Sequence, residues 1–401
     1  MDKYVILRDA SRGFRPEGTF PGPRTFGAAP NRIEMPPDPR IETAEMTSAE
    51  ARGAVRDPEV LEIARAMPTR LIAPFDATAA ASGTPTWGVT QVGAAASPFD
   101  GAGVRVAILD TGIDAAHPAF QGVTLIQQDF TGSGNQDGNG HGTHCAGTVF
   151  GRDVNGTRIG VAPGVTEALI GKVLGDNGSG SSEMLFDALK WASSQNAKVI
   201  SMSLGFDFPG FADRLVAQNN LPVKLATSIA LEAYRMNLRV FDRLMGLMRA
   251  MADFNGGTVV VAASGNESER QIDPDFEVSA SVPAAAEGVI SVGALAEGAN
   301  GLTVAPFSNT NPVLSAPGVG IVSARAGGGL RTLNGTSMAC PHVAGVAALW
   351  WQALGAANLP LTNRAVEARL LASAARGGFA PGVDASDRGQ GLVQAPLAAI
   401  S

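Results

Sequence analysis

The chain has 401 residues, of which 45% are hydrophobic, 17% charged and 6% aromatic. That supplies a sizeable buried core and, by length, about two domains. Thirty basic against 37 acidic residues leave a net charge of −7. A wholly disordered chain is excluded, as is a global basic footprint for nucleic acid. Two cysteines, Cys145 and Cys340, cannot make a disulfide framework and lack zinc-ligand spacing.

The apolar run Tyr4 to Leu7 is too short for a signal-peptide core, and no stretch reaches the roughly eighteen apolar residues of a membrane span. The longest candidate, Val343 to Leu354, contains Gly345 and follows Pro341 and His342, so it reads as a buried helix. The expectation is a cytoplasmic protein. Lys3 to Arg8 reads as a short strand. Pro16 to Arg40, rich in Pro, Gly and Arg, reads as irregular. Thr47 to Met67 is helical in pattern, with Thr47 or Ser48 as N-cap. Asp57-Pro58 breaks it, and Pro58 suits the first turn of a second short helix. Arg70 to Ala73 reads as one more strand. Residues 1–74 thus form a small α+β unit, and 75–86 (FDATAAASGTPT) a linker.

From residue 87 to 401 apolar runs alternate with helix-like stretches. Val104 to Leu109, Leu169 to Leu174, Val199 to Met202 and Thr258 to Ala262 read as strands, and Ser182 to Ser194 as a helix. Continuous apolar strands joined by helices predict an α/β fold: a doubly wound, mostly parallel sheet with helices on both faces. Its chemistry belongs at the carboxyl ends of the strands.

Four segments carry residues suited to chemistry. Asp110 lies in LDTGID after a strand, and His141 in GNGHGTHCAGT at a helix start. Asn266 lies in AASGNES after a strand, and Ser337 in NGTSMACPHVAG where a helix opens. A serine hydroxyl needs a base within reach, and the base needs an orienting group. His141 can take the Ser337 proton, and Asp110 can hold the other ring nitrogen. Asn266 and the Ser337 backbone N–H can stabilise the oxyanion. Each residue also has a plain structural reading: N-cap for the serine, turn former for the aspartate and asparagine, structural histidine. Their joint occurrence in the order Asp, His, Asn, Ser favours the chemistry.

With AILDTGID, HGTHCAGT, RIGVAP, VISMSLG, VVVAASGN and GTSMACPHVAG, the chain resembles the subtilisin-like serine proteases (subtilases) from about Trp87 to Leu392. The resemblance implies a serine endopeptidase with Asp110 orienting His141, His141 as general base and then acid, and Ser337 forming the acyl-enzyme. It implies an oxyanion hole from Asn266 with Thr336 assisting. It also implies a groove in which a polypeptide substrate adds as an extended strand between Gly178-Ser179-Gly180 and Ser203-Leu204-Gly205. Ala262, Ala263, Ser264 and Gly265 would line a roomy first pocket beside them. The loop after Asn266 carries Glu267, Glu269, Asp273, Asp275 and Glu277, either a solvated acidic loop or a rim favouring a basic side chain.

The chemistry requires no cofactor. Subtilases often bind structural calcium, but Ala119 stands where one ligand belongs, and Arg152 and Arg158 occupy a second ligand loop. Asp129, Asp137 and Asn139 offer hard oxygens for a different calcium site, or are solvated turn residues. His117, His144 and His342 read as structural, and Cys145 and Cys340 as free buried thiols near each other under the site. Residues 206–227 look inserted before a helix whose apolar face is Tyr234, Leu238, Phe241, Met245, Met248 and Ala252. Met236, Met245, Met248 and Met251 read as core, or as a surface for a protein partner. Residues 1–74 stand where a subtilase propeptide would, which implies an inhibitor whose end lies in the groove, with autocleavage between residues 75 and 86. A non-catalytic scaffold, an ester or amide hydrolase, a narrow processing protease and a latent enzyme that keeps residues 1–74 stay open at this point.

Overall fold

The computed structural model describes residues 1–12, 39–77 and 84–399. At the N-terminus β1 (Asp2–Asp9) lies between β2 (Pro39–Met46) and β3 (Val60–Arg65), antiparallel to both. Alternation along β1 sends Tyr4 and Ile6 to a small cluster with Ala51 and Ile63, and Val5 and Leu7 into the core of the larger unit. Thr47 caps α1 (Ser48–Ala54) through a capping box with Glu50. The second helix expected after Pro58 is instead β3, because Val60, Leu61 and Ile63 suit a pleated surface that β1 is there to cover. Pro39 and Arg40, expected to be irregular, lie in β2; the rest of that stretch, residues 16–38, falls outside the described residues.

The chain continues through β4 (Pro68–Leu71) and β5 (Phe75–Asp76), so the expected linker opens with a paired strand; its residues 78–83 lie outside the described residues. Next come α2 (Trp87–Gln91), β6 (Val106–Asp110), β7 (Thr124–Asp129), α3 (His141–Phe150), β8 (Glu167–Lys172), β9 (Ser179–Ser181) and α4 (Ser182–Ser194). They are followed by β10 (Val199–Met202), β11 (Leu204–Phe206), α5 (Phe208–Asn219), α6 (Val223–Ala250), α7 (Ala252–Asn255) and β12 (Val259–Ala263). The last elements are β13 (Val289–Ala296), β14 (Thr303–Val304), β15 (Leu314–Pro317), β16 (Ile321–Ala324), β17 (Leu330–Asn334), α8 (Thr336–Ala356), α9 (Asn363–Ser373) and α10 (Ala385–Arg388).

The main sheet runs β14-β13-β12-β10-β6-β8-β7, with β15 beside β13; β14 is its antiparallel member. Side chains alternate between two cores. Val106, Ile108, Val259 and Val261 pack under α3 and α8, whereas Ala107, Leu109, Val260 and Ala262 pack under α4 and α6. Burial on both faces is why these strands read as continuous apolar runs. The chain leaves β6 toward β8 on one side and returns to β10 on the other. This reversal of strand order opens a crevice at the carboxyl end of β6.

The segment that looks inserted is α5 and the start of a 28-residue α6. The Phe241 ring of α6 packs at a tilt against Phe186 of α4, centroids 5.6 Å apart, and Met245 and Met248 are buried in the same core. Met236 packs against both this core and the N-terminal sheet. Leu215 of α5 packs on Ala226 and Ala230. Among the described residues no helix is long and apolar enough to cross a membrane.

Candidate active site

Asp110 ends β6 at the crevice and is 2% exposed. Its Oδ1 accepts from the Thr111 N–H and from His141 Nδ1, each at 2.8 Å. An ionised carboxylate only accepts, so Nδ1 carries the proton and Nε2 is the basic nitrogen. His141 is the first residue of α3, whose N-cap Gly140 has φ 89° and no side chain to offer. Asp137 supplies the missing cap: its carboxylate accepts the Gly140 and Thr143 N–H groups at 2.7 and 2.8 Å and the Thr111 hydroxyl at 2.7 Å. That carboxylate ties the helix bearing His141 to the strand bearing Asp110. Glycine is required at position 142, since a Cβ there would meet the Gly112 carbonyl oxygen at 2.2 Å.

Ser337 follows Thr336 in the first turn of α8, and both are fully buried. The first-turn N–H of Ser337 has no partner within the helix. Asn266 follows β12 across the crevice. Thr336 gives both its N–H and its hydroxyl to Asn266 Oδ1, at 2.9 and 2.8 Å. The expectation is that Thr336 assists the oxyanion hole; here its contacts run to Asn266. Its donors are directed at the Asn266 amide and fix its orientation, so the amide Nδ2, rather than Thr336, faces the groove. The Gly265 N–H donates to Thr336 Oγ1 at 3.3 Å, completing that support.

The groove is occupied by the chain's own β4. It lies antiparallel between β9 and β11, pairing Thr69 with Gly180 and Phe206, and Arg70 with Ser179 and Gly205. The Leu71 N–H donates to the Gly178 carbonyl at 2.8 Å, Leu71 is in register with Leu204, and the Ile72 N–H donates to the Ser203 carbonyl at 3.3 Å. The two segments read from sequence as groove walls are thus brought together by one strand. Gly180 has no room for a side chain, because a Cβ would meet the Val173 carbonyl oxygen at 2.3 Å and Thr69 Oγ1 at 2.8 Å. At the end of β4 the Ser337 hydroxyl donates to the Ile72 carbonyl at 2.8 Å, and Asn266 Nδ2 donates to the Ala73 carbonyl at 3.0 Å. Beyond Pro74, Phe75 and Asp76 pair with β17, and the Phe75 ring meets Phe307 at 5.0 Å.

A cavity of about 250 Å³ opens beside Ile72, walled by Gly205, Phe206, Phe208, Leu231, Tyr234 and Ser281, with Glu267 among its lining residues. Ala262, Ala263, Ser264 and Gly265, expected to line a first pocket, are not among the residues walling this cavity. The two alanines fill the cores on opposite faces of β12, and the Ser264 backbone pairs with Val292 and Ser281. Sequence reasoning missed Phe208, Leu231 and Tyr234 as pocket residues, because they reach it from the inserted segment and the helix that follows it.

Both cysteines are free and buried. The Cys145 sulfur lies 3.7 and 4.0 Å from the two ring nitrogens of His141 and 3.5 Å from the Ser337 carbonyl, and burial pushes its thiol pKa well up. Cys340, beside Ser201 and Met202, is pushed up to about 12 by burial. Burial also lowers His144 to about 3 and His342 to about 4, so both are neutral packing residues bonded to backbone carbonyls. Asp129 accepts three backbone N–H groups of its own loop. The one metal-compatible group of three among the described residues is Asp110, His141 and Cys145, which belongs to this site.

A buried Asp-His pair, a nucleophile-bearing helix start and a strand-binding groove define a serine endopeptidase. The chain belongs to the subtilase family, whose model matches residues 101–393. It is 35% identical over 269 residues to subtilisin Savinase of Lederbergia lenta, covering 66% of this chain and 82% of that protein. Identity to the M-protease of Shouchella clausii is also 35%, across 66% of this chain, but the match spans only 58% of that protein's length. The major intracellular serine protease of Bacillus subtilis is 34% identical over 257 residues, covering 62% of this chain and 68% of that protein.

Proposed function

We propose that the protein hydrolyses peptide bonds through an acyl-enzyme on Ser337 and is made in a self-inhibited form. The observation that carries this reading is the strand Pro68–Leu71 bonded into the groove, with the Ile72 carbonyl on the Ser337 hydroxyl. In turnover His141 Nε2 takes the Ser337 proton as the hydroxyl attacks, and Asp110 steadies the imidazolium. His141 then returns the proton to the leaving amine. Asn266 Nδ2 and the Ser337 N–H receive the oxyanion, and Thr336 holds Asn266 in place.

The inhibited register has a physical basis. The nucleophile faces the carbonyl of residue 72 while the oxyanion amide holds that of residue 73. Neither peptide bond has both at once, so neither is poised for attack. Processing then begins when one carbonyl meets both groups. The bond nearest Ser337 is Ile72–Ala73, so we assign the first cut there, upstream of the 75–86 stretch expected from the propeptide resemblance. An intracellular setting fits the two free buried thiols and the likeness to the Bacillus subtilis intracellular protease.

The test is a time course of purified full-length protein with N-terminal sequencing, beside Ser337→Ala, with fluorophosphonate labelling of both. A new N-terminus at Ala73 in wild type alone supports the whole reading. Labelling of wild type without shortening removes autoprocessing and leaves the endopeptidase.

A further inference from the structure

We propose that Asp207 and Glu267 form a binding site for a cationic side chain of the polypeptide substrate, two residues before the residue whose carbonyl faces Ser337. The inference rests on the endopeptidase reading and names its substrate class. Its occupant is visible in the groove strand. Arg70 lies two residues before Ile72, with its backbone in register with Gly205 and Ser179. Its guanidinium reaches Asp207 Oδ1 at 3.5 Å and Glu267 Oε1 at 3.6 Å.

Both carboxylates are held by hydrogen bonds besides their contact with Arg70. Asp207 caps α5, accepting the Gly210 N–H at 3.1 Å, and its own N–H donates to the Pro68 carbonyl of the groove strand at 3.0 Å. Glu267 is held by the buried Asn309, whose Nδ2 donates to Oε2 at 2.8 Å and whose Oδ1 takes the Glu267 N–H at 3.0 Å. That leaves Oε1 turned to the guanidinium. The two acids come from separate segments, one at the mouth of the inserted helical hairpin and one after β12. Arg70 lines the cavity beside Phe206, Phe208 and Tyr234, and the ion pair stays open to solvent, with the Arg70 side chain 49% and the Glu267 side chain 39% exposed. Asp207 belongs to the inserted segment, so this selectivity comes with the insertion.

The experiment uses full-length Arg70→Glu, which repels its own strand from the carboxylates, with Arg70→Ala as a second variant should the first fail to fold. Fluorophosphonate labelling of Ser337 is followed while hexapeptides Pro-Thr-X-Leu-Ile-Ala compete, with X as Arg, citrulline or Glu. The Arg peptide is expected to protect Ser337 at a roughly five- to tenfold lower concentration than the citrulline peptide. Adding Asp207→Asn and Glu267→Gln together is expected to abolish that difference. Equal protection by the Arg and citrulline peptides overturns the cation site and leaves the endopeptidase intact. Failure of wild type and every variant to label overturns the endopeptidase reading, and this inference with it.

Discussion

The Ser337 hydroxyl donates to the carbonyl of Ile72, while the amide of Asn266 holds the next carbonyl, that of Ala73. Among the described residues this is the one partner of the hydroxyl. In the proposed mechanism, attack and oxyanion stabilisation are therefore divided between two neighbouring peptide groups. A strand can sit in a competent groove without being cut when its register separates the two.

If that strand is the inhibitor, weakening it should expose the nucleophile. Ile72 is 3% exposed, and a carboxylate in its place would be buried without a partner. Ile72→Asp is expected to raise the rate of fluorophosphonate labelling of the full-length protein at least about tenfold, since expelling the strand needs only about 1.4 kcal/mol per factor of ten. An unchanged rate would mean that β4 does not gate Ser337.

Removing the oxyanion amide should act on turnover more than on binding. Asn266→Ala is expected to lower kcat by roughly 10²–10³, a magnitude known from subtilisin itself and carried over to this relative. Thr336→Val keeps the N–H bond to Asn266 Oδ1 and loses the hydroxyl bond. Its loss should be no more than about tenfold, in line with one neutral hydrogen bond. Equal losses in the two variants would make Thr336 a direct donor after all.

Acid should destabilise the fold before most carboxylates protonate. Burial lowers His144 to about 3 and His342 to about 4, whereas an unfolded histidine titrates near 6.5. Below that pH the unfolded chain binds two protons that the native chain refuses, so stability falls as pH falls. Each histidine contributes a slope of up to about 1.4 kcal/mol per pH unit. Urea midpoints measured at pH 7, 6 and 5 should decline, and His342→Gln should flatten the decline. Midpoints that stay level across that range would refute it.

The pocket wall supplied by α6 has its own signature. The Tyr234 hydroxyl accepts the Val282 N–H at 3.1 Å, beside the cavity. Tyr234→Phe leaves that donor unpaired and should cost about 1–3 kcal/mol. Phe241→Ala, deeper in the same helix, should cost about 3–5 kcal/mol by opening a cavity against Phe186. Denaturation midpoints check both, and only Tyr234→Phe should also change peptide selectivity.

The strands Val199–Met202 and Val259–Ala263 and the helix Ser182–Ser194 are legible because burial on both faces, or on one helical face, is written as an unbroken or periodic apolar pattern. The N-terminal unit is less legible. Pro58 and the polar residues near it mimic a helix start, and only pairing with β1 makes Val60–Arg65 a strand. For Thr336 the sequence names a donor, but which group receives its hydrogen bonds depends on Asn266, 70 residues away.

The sequence by itself marked the residues of the proposed chemistry: Asp110 ends a strand, Asn266 follows one, and His141 and Ser337 open helices. Only the tertiary structure decided what fills the groove and in which register, that Asp207 and Glu267 converge on Arg70, and that the insertion walls the pocket. Those relationships depend on contacts between segments distant in the chain. A shift of one residue along a strand alters every such contact while leaving the local pattern of the strand unchanged.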